Sequence, residues 1–353
     1  MLVIQDLLKL VVKMNASDLH LTAGRPPQLR IDGELILTDL EVLVPETTRE
    51  LAYTILTEEQ IETFEKRKEL DLSYGIKGIS RFRVNLYKQR GSVAIAVRHI
   101  PFVIPSMEEL GIPEVVKDFA DLPNGLVLVT GPTGCGKSTT LASMIDYINS
   151  KRKCHIVTIE DPIEYLHQHK KATVNQREVG TDTTSFEEAL RHVVRQDPNI
   201  IMIGEMRDLE TIHSALTLAE TGHLVLATLH TSDATHSVSR IVDVFPSHQQ
   251  QQIRVQLSMV LSGVVVQQLI HHKVGKGRAL ASEVMCVNDS VRNLIRENNV
   301  HQIYSIIQTG RKFGMHTMNQ SLSELVKSEV ISTEEAHRRS QDPEELSALL
   351  KSG

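Results

Sequence analysis

An eight-residue stretch that follows an apolar run has the residue types that bind nucleotide phosphates. Residues 131–138 match the pattern G-x-x-x-x-G-K-[ST] at every fixed position. Glycines let backbone N–H groups curve around phosphate oxygens, and the N-terminus of the following helix favours negative charge. The lysine would reach the β- and γ-phosphates, and the serine hydroxyl would bind Mg²⁺. The motif predicts a site for a nucleoside triphosphate with magnesium, formed by Gly131, Pro132, Thr133, Gly134, Cys135, Gly136, Lys137, Ser138 and Thr139.

Carboxylates follow two further apolar runs. Ile200–Ile203 leads into Glu205, and His155–Ile159 leads into residues 160–164, which include Glu164. Because open α/β sheets bind ligands at the C-terminal ends of their strands, these carboxylates are candidates for contacting magnesium or the attacking water. Glu205 occupies a position where aspartate is commoner, which favours contact with magnesium through water over direct ligation. For the intervening Glu160 and Asp161, helix capping or exposure to solvent is an equal alternative.

Histidine is abundant, with sixteen residues, and one position stands out. His230 directly follows the apolar run Leu224–Leu229, where an imidazole would lie near a γ-phosphate and sense its presence. His223 precedes the same run and fits direct chemistry less well. The pairs His167/His169 and His271/His272 lack the ligand spacing of zinc motifs, so we expect them in solvent-exposed loops.

Composition excludes several classes of protein. The 353 residues predict about two domains, and 41% hydrophobic with 23% charged residues is typical of a globular protein. A net charge of −6 and only 4% aromatic residues disfavour a nucleic-acid partner. Three cysteines without a CxxC pair disfavour a zinc ribbon. No apolar run is long enough to span a membrane, and the N-terminus, with Asp6 and Lys9, does not resemble a signal peptide, so we expect a cytoplasmic protein.

The pattern of apolar residues divides the chain into three parts. Residues 1–100 predict a small α+β domain with a helix over 3–14. Residues 101–124 contain four prolines and predict a linker or a segment that wraps over the next domain. Residues 125–353 begin as alternating strands and helices, which predicts a mostly parallel α/β sheet, and we expect mainly helices after Gly263. The predicted strands are Gln28–Leu37, Arg81–Tyr87, Ser92–Arg98, Leu126–Thr130, His155–Ile159, Ile200–Ile203 and Leu224–Leu229, and the predicted helices include Lys137–Asn149, Phe186–Gln196, Leu209–Thr221 and one that starts at Asp342-Pro343.

Several stretches together resemble one known family. GPTGCGKSTT, TIEDPIEY, RQDPNIIMIGEMRD and TGHLVLATLHT are similar to the Walker A, Asp box, Walker B and His box of the motor ATPases of secretion systems and type IV pili. ASDLHL at residues 16–21 and RNLIRE at residues 292–297 resemble the retraction ATPases within that family. The resemblance implies an α/β fold with a RecA-like P-loop ATPase core and a smaller, α+β, PAS-like N-terminal domain.

The resemblance also implies roles for individual residues. Glu164 would be the general base that orients water, Glu205 the Walker B acid associated with Mg²⁺, and His230 the sensor of the γ-phosphate of ATP. Arginines of the N-terminal domain would reach the nucleotide, and the candidates are Arg81, Arg83 and Arg98. Arg81 and Arg83 are two residues apart on one predicted strand and so share a face. The alternative is that these arginines are solvated on an exposed sheet face.

At the level of the whole protein, the resemblance implies a homo-hexamer at the inner face of the cytoplasmic membrane. ATP hydrolysis would drive domain movements that pass to the inner-membrane platform protein of the pilus, so that the pilus retracts and the cell twitches. The alternatives are an assembly or secretion ATPase, a second retraction paralogue, a nucleic-acid translocase and a nucleotide-gated scaffold. Assembly ATPases commonly carry a longer N-terminal region and paired CxxC motifs, which are absent here.

Overall fold

The computed structural model describes residues 2–31, 33–76, 78–100, 103–275 and 277–351. These residues form two compact units, Met1–Val103 (unit 1) and Ile104–Gly353 (unit 2). Pro101 and Phe102, at the start of the predicted linker, lie outside the described residues, as do Ser352 and Gly353 at the end of the third predicted part. Within the described ranges, no helix is both long enough and apolar enough to cross a membrane.

Unit 1 combines three helices with a sheet of antiparallel strands. The amphipathic pattern at the N-terminus forms the predicted helix, whose apolar face is buried against the sheet. The elements in chain order are α1 (Ile4–Lys13), β1 (Asp18–Leu21), β2 (Gln28–Ile31), β3 (Glu34–Leu37), α2 (Pro45–Tyr53), α3 (Glu58–Arg67), β4 (Glu69–Ile76), β5 (Ser80–Gln89) and β6 (Ser92–Ile100).

The strands of unit 1 lie in the order β3-β2-β1-β6-β5-β4. Strands β5 and β6 confirm the predicted strands, and both extend slightly beyond them. The prediction of one strand over Gln28–Leu37 is wrong, because the chain reverses there into a β2–β3 hairpin. Gly33, between β2 and β3, has a φ of +89°. Glycine adopts this left-handed conformation without steric cost, and it suits a tight turn of the chain.

Unit 2 alternates strands and helices. Its elements in chain order are α4 (Val115–Asp121), β7 (Gly125–Thr130), α5 (Lys137–Lys151), β8 (His155–Glu160), β9 (Thr173–Glu178), α6 (Phe186–Val193), β10 (Ile200–Ile203), α7 (Leu209–Glu220), β11 (Leu224–Leu229), α8 (Ala234–Asp243), α9 (Ser247–Val260), β12 (Leu261–His271), β13 (Arg278–Cys286), α10 (Asp289–Arg296), α11 (Ile303–Thr309), α12 (Met318–Lys327), α13 (Thr333–Arg339) and α14 (Pro343–Lys351).

The sheet of unit 2 has the strand order β13-β12-β7-β11-β10-β8-β9, and its strands are parallel except for β13. Every residue of β7, β10 and β11 is buried, as expected for strands that helices cover on both faces. This α/β arrangement and the four predicted strands of this region are confirmed. The helix predicted over Phe186–Gln196 is present as α6 followed by a 3₁₀ turn, Val194–Gln196.

The expectation of mainly helices after Gly263 is wrong for the next twenty residues. Strands β12 and β13 occupy this region, and β12 pairs in parallel with the central strand β7. The run Val264–Val266 is completely buried, and an apolar run of this length does not by itself distinguish a buried strand from a buried helix. The helical elements begin only with α10.

Residues 104–124, which fall in the predicted linker, contribute to the core of unit 2. Helix α4 places Val116 and Phe119 in the buried apolar layer, and Met107 and Ile112 join them from the preceding turns. The Phe119 ring packs against the backbone of β12 at Gly263, where a Cβ atom would lie 2.4 Å from the ring. This close approach requires glycine at position 263.

We predict that Gly263→Ala lowers the free energy of unfolding by about 1–3 kcal/mol, because the added methyl group overlaps the Phe119 ring in a packed core. Thermal unfolding would measure the loss. Gly75→Ala is the matched control, because Gly75 also lies in a strand and no atom surrounds its Cβ position within 4 Å. The control should change stability by less than about 0.5 kcal/mol. Equal effects of the two changes would contradict the packing argument.

Candidate functional site

The phosphate-binding motif forms a loop between β7 and α5. Gly131 has a φ of +136°, and a Cβ atom there would lie 2.4 Å from the Gln267 carbonyl oxygen. Gly136, directly before the helix, has a φ of +92°. Pro132, Thr133 and Gly134 are exposed at the tip of the loop. The tip therefore presents backbone to solvent at the N-terminus of a fifteen-residue helix, which is the arrangement that binds phosphate.

The Lys137 ammonium lies inside this loop. Its Nζ donates hydrogen bonds to the carbonyl oxygens of Gly131 at 2.9 Å and Pro132 at 3.1 Å. Burial lowers the pKa of Lys137, and the nearby Glu205 charge acts in the opposite direction. The loop thus holds one cation beside its outward-facing backbone, where the charge of a phosphate would be compensated.

Glu205 and His230 meet next to this lysine. Glu205 Oε1 lies 3.1 Å from His230 Nε2 and 2.6 Å from Arg207 Nε. The other imidazole nitrogen, His230 Nδ1, is 3.5 Å from Lys137 Nζ. A neutral imidazole with its proton on Nε2 satisfies both contacts, since it donates to the carboxylate and accepts from the ammonium. Lys137, Glu205 and His230, which lie far apart in the sequence, thus form one chain of contacts.

The Glu205 carboxylate stays ionised in this setting. Burial alone raises the pKa of Glu205, but the contacts of its carboxylate with Arg207 and His230 outweigh burial and hold the pKa below its usual value. The turn that carries Glu205 is fixed by β11, because Thr228 Oγ1 donates to the Gly204 carbonyl oxygen at 2.6 Å. The Met206 N–H also donates to the Thr228 carbonyl oxygen at 3.1 Å. Sequence reasoning missed Arg207 and Thr228, although both lie in stretches that resemble the family.

The carboxylates that follow β8 have different environments. Glu160 is buried and accepts hydrogen bonds from Thr158 Oγ1 at 2.6 Å and Gln176 Nε2 at 3.0 Å. Burial raises the pKa of Glu160. Asp161 and Glu164 are exposed. Glu160 therefore supports the loop from inside, and only the two exposed carboxylates are available to a ligand in solvent.

Side chains of β9 hold this loop in place. Glu178 Oε2 accepts a hydrogen bond from the Ile163 N–H at 3.1 Å, and Gln176 Nε2 donates to the Tyr165 carbonyl oxygen at 2.8 Å. The Tyr165 hydroxyl lies 2.9 Å from Thr139 Oγ1, which connects the loop to the first turn of α5. Sequence reasoning missed Gln176 and Glu178. Their spacing of two within β9 puts them on one face of the strand, but that signal is weak without the partner loop.

Cys135 lies in the phosphate loop between Gly134 and Gly136. Its side chain is buried, and a Cβ atom on Gly131 would lie 2.7 Å from its sulfur. Burial raises the pKa of the Cys135 thiol. These observations fit the interpretation of Cys135 as a small packing residue of the loop.

The arginine candidates belong to unit 1. Arg81 and Arg83 lie on the face of β5 opposite the buried Phe82 and Val84, which agrees with the predicted shared face. Arg98 lies opposite Arg83 in the β5–β6 register. Asp18 accepts a hydrogen bond from Arg98 Nε at 3.0 Å, and its other oxygen lies 3.6 Å from Arg30 Nε.

Two other histidines that the sequence analysis considered, His223 and His167, are held inside the fold. His223 Nδ1 lies 3.0 Å from the Leu218 carbonyl oxygen at the end of α7. The expectation of a solvent-exposed loop is wrong for His167, because its Nδ1 is buried and burial lowers its pKa to about 4. In the part of the chain that the structure describes, no three His, Cys, Asp or Glu side chains are grouped to hold a metal ion. Mg²⁺ does not need such a group, since it takes one or two protein ligands together with phosphates and waters.

Comparison with known proteins identifies the family. The sequence model of one protein family, the type II/IV secretion system proteins, matches residues 1–341 of this chain. This chain is 50% identical to the type IV pilus retraction ATPase PilT of Pseudomonas aeruginosa over 341 residues, or 97% of this chain and 99% of that protein. It is 46% identical to a twitching motility protein of Neisseria gonorrhoeae, over 91% of this chain and 86% of that protein. The chain therefore belongs to the type II/IV secretion system protein family.

A solved structure gives the same result for the fold. The crystal structure of the pilus retraction motor PilT with bound ADP superposes on this chain with a TM-score of 0.93 at 50% identity. The match covers 99% of this chain and 100% of that one. The α/β fold with a RecA-like ATPase core, implied by the resemblance in sequence, is confirmed.

We predict that the thiols of the folded protein react slowly at pH 8. Burial raises the pKa of Cys135, Cys154 and Cys286, the last to about 11, so that little reactive thiolate is present. Ellman's reagent should modify the native protein at least about tenfold more slowly than a free thiol and should titrate all three cysteines after unfolding. A fast-reacting thiol that is lost in Cys135→Ser would contradict the packing role of Cys135.

Proposed function

We propose that this member of the type II/IV secretion system family is a motor ATPase that powers type IV pilus retraction and thereby twitching motility. The observation that carries the proposal is the chain of contacts Lys137–His230–Glu205 beside the phosphate loop. It places a cation, an imidazole and an acid at one edge of the sheet, in a chain that is 50% identical to a retraction ATPase over 97% of its length. The high identity to that retraction ATPase favours pilus retraction over pilus assembly as the function.

ATP binds at the phosphate loop with Mg²⁺. The loop residues Gly131–Ser138 and Thr139 surround the phosphates, and Lys137 turns from the Gly131 and Pro132 carbonyl oxygens to the β- and γ-phosphates. Ser138 is exposed in the first turn of α5, where its hydroxyl would help to hold Mg²⁺. The ionised carboxylate of Glu205 lies beside the loop and would be the acid associated with the ion. Mg²⁺ would neutralise part of the phosphate charge.

Hydrolysis uses the exposed carboxylate of Glu164 as the general base that orients the attacking water. Glu178 and Gln176 hold the backbone on either side of Glu164, at Ile163 and Tyr165, so the exposed carboxylate extends from a fixed backbone. His230 contacts the γ-phosphate and senses its loss, because the imidazole already bridges Lys137 and Glu205. A movement of His230 on loss of the γ-phosphate therefore changes the contacts of both Lys137 and Glu205.

The arginines of unit 1 supply positive charge to a nucleotide bound by unit 2 of a neighbouring copy. Arg81, Arg83 and Arg98 share one face of the sheet, on which Arg98 is exposed and the other two are half-buried, and Asp18 orients Arg98. Such arginines stabilise the charge that develops during phosphoryl transfer and are worth about 10³–10⁵ in rate in other nucleotide hydrolases. This role requires an oligomer, and we infer a homo-hexamer.

The two units are the moving parts of this motor. The N-terminal domain (unit 1) and the ATPase domain (unit 2, which includes residues 104–124) change their arrangement with each hydrolysis event. The hexamer acts from the cytoplasm at the inner face of the cytoplasmic membrane, where it passes the movement to the platform protein of the pilus. Nucleic acid is not a partner, in line with the net charge of −6.

We predict that Lys137→Ala lowers ATP hydrolysis at least about 10²-fold, because the buried ammonium is lost from the phosphate loop. Glu164→Gln should lower kcat by about 10²–10⁴-fold with unchanged ADP affinity, because it removes the base and keeps the loop. Phosphate release measures both effects. The exposed Glu187 in the first turn of α6 provides the control Glu187→Gln, which should keep full activity. ATP hydrolysis by Lys137→Ala at the wild-type rate would refute the assignment of the ATP site to this loop.

The cellular role has its own test. Deletion of the gene should leave cells with excess pili that no longer retract, so that twitching stops. Loss of pili instead would indicate an assembly motor. Stimulation of the ATPase by single-stranded DNA, abolished by salt, would indicate a nucleic-acid translocase.

The role of the arginines in trans predicts complementation between inactive variants. Arg83→Ala, Arg98→Ala and Lys137→Ala should each be inactive alone, because each site lacks one essential charge. Mixing Lys137→Ala with Arg98→Ala should restore measurable hydrolysis, since some pairs of neighbours then combine an intact Lys137 with an intact Arg98. The lack of any recovery in subunits shown to mix would contradict action in trans. The exposed Arg311 in unit 2 provides the control Arg311→Ala, which should stay active.

A further inference from the structure

A buried carboxylate outside the proposed phosphate site connects two helix N-termini. Glu283 of β13 is only 2% exposed. Its Oε1 accepts a hydrogen bond from the Ala234 N–H at 2.8 Å, and its Oε2 accepts one from the Met318 N–H at 3.4 Å. Ala234 and Met318 are the first residues of α8 and α12. One side chain therefore caps both helices, and both helix dipoles favour its charge.

The first of these helices begins immediately after the proposed γ-phosphate sensor. His230 directly follows β11, and only residues 231–233 separate it from Ala234. The Asp233 side chain caps α8 by accepting from the His236 N–H at 2.7 Å, and Thr231 Oγ1 lies 2.6 Å from Ser237 Oγ. This short connection is thus tied to α8 along its length, so the position of the N-terminus of α8 determines the path of the chain from His230.

The second helix belongs to the C-terminal helical region. Thr317 caps α12 with a full capping box, and Asn319 in its first turn donates to the Asp342 carbonyl oxygen at 2.9 Å. Gln341 Nε2 in turn donates to the Ser232 carbonyl oxygen at 3.2 Å. The C-terminal region therefore contacts the connection after His230 twice, once directly through Gln341 and once through Glu283.

The space around Glu283 allows movement. A cavity of about 230 Å³ adjoins the carboxylate and is lined by Ser232, Asn319 and Gln341, among other residues. Burial raises the pKa of Glu283 to about 7, with the charges of Asp233 and Glu345 acting in the same direction and the backbone hydrogen bonds opposing them. Tyr304 and Asp342 also line the cavity, and burial and the Glu345 hydrogen bond raise the pKa of Tyr304. The cavity gives the connection after His230 room to shift.

We propose that Glu283 is a positioning residue for ATP hydrolysis, which holds the His230 connection through α8 and links it to α12 and the C-terminal helices. The proposal rests on the proposed function of His230 as the γ-phosphate sensor. A shift of His230 when the γ-phosphate leaves moves the N-terminus of α8, and Glu283 transmits that movement to α12. Glu283 itself contacts no nucleotide in this scheme.

The test is a double-mutant cycle with Glu283→Gln and His230→Ala. The glutamine keeps the size of the side chain but replaces one of the two accepting oxygens with an NH₂ group, so one of the two N–H groups then faces a donor. Glu283→Gln should lower kcat about tenfold to a hundredfold and leave ADP affinity unchanged, because ADP lacks the sensed phosphate. In the His230→Ala background, the same change should have no further effect on kcat. Additive effects of the two changes would overturn the proposal.

Two further variants separate positioning from stability. Thr317→Ala removes the cap of α12 without touching α8, so it should lower the melting temperature and leave kcat unchanged. Ala234→Pro removes the N–H that Glu283 accepts from, at a helix position that suits proline, and should reproduce the loss of kcat even where Glu283→Gln does not fold. Equal losses of kcat in Thr317→Ala and Glu283→Gln would overturn the link between the helices. Full activity of His230→Ala would instead refute the sensor role itself.

Discussion

The candidate site depends on the hydrogen-bond register of the parallel sheet. Leu229 of β11 pairs with Thr130 of β7, and Ile203 of β10 pairs with Ala227 of β11 and Ile159 of β8. Parallel strands in this register end at the same edge, so the phosphate loop, Glu205 and His230 leave the sheet side by side. No two of these groups are close in sequence, so the alignment of the strand ends is what brings them together for the proposed chemistry.

Burial of charge is the cost of this arrangement, and hydrogen bonds offset it. Lys137, Glu160 and Glu283 are each largely buried, and each has at least two hydrogen-bond partners. A buried charge without partners would destabilise the fold by several kcal/mol. The partners of Lys137 and Glu283 are backbone groups of a loop and of helix ends, and Gln176, a partner of Glu160, also holds the loop after β8 through the Tyr165 carbonyl oxygen. Stability and positioning are therefore provided by the same contacts.

Unit 1 achieves its arrangement of charges differently, through the two-residue period of antiparallel strands. The register aligns Arg30, Asp18, Arg98 and Arg83 across four neighbouring strands on the exposed face. Asp18 lies between two of the arginines and forms ion pairs with both. Exposed ion pairs of this kind add little stability, about 0–1 kcal/mol each, so the row orients side chains more than it holds the sheet together.

The sequence by itself determined the parts that depend on local pattern. The spacing of Gly131, Gly136 and Lys137 identified the phosphate loop, and the apolar runs before Glu205 and His230 placed both at strand ends, because strand and loop preferences act over a few residues. Only the tertiary structure decided that Glu160 is buried, that Glu178 holds the loop before Glu164, that β12 is a strand, and that Glu283 joins two helices. Those outcomes depend on partners many residues away, and burial, which sets both pairing and pKa, is created only when distant segments pack.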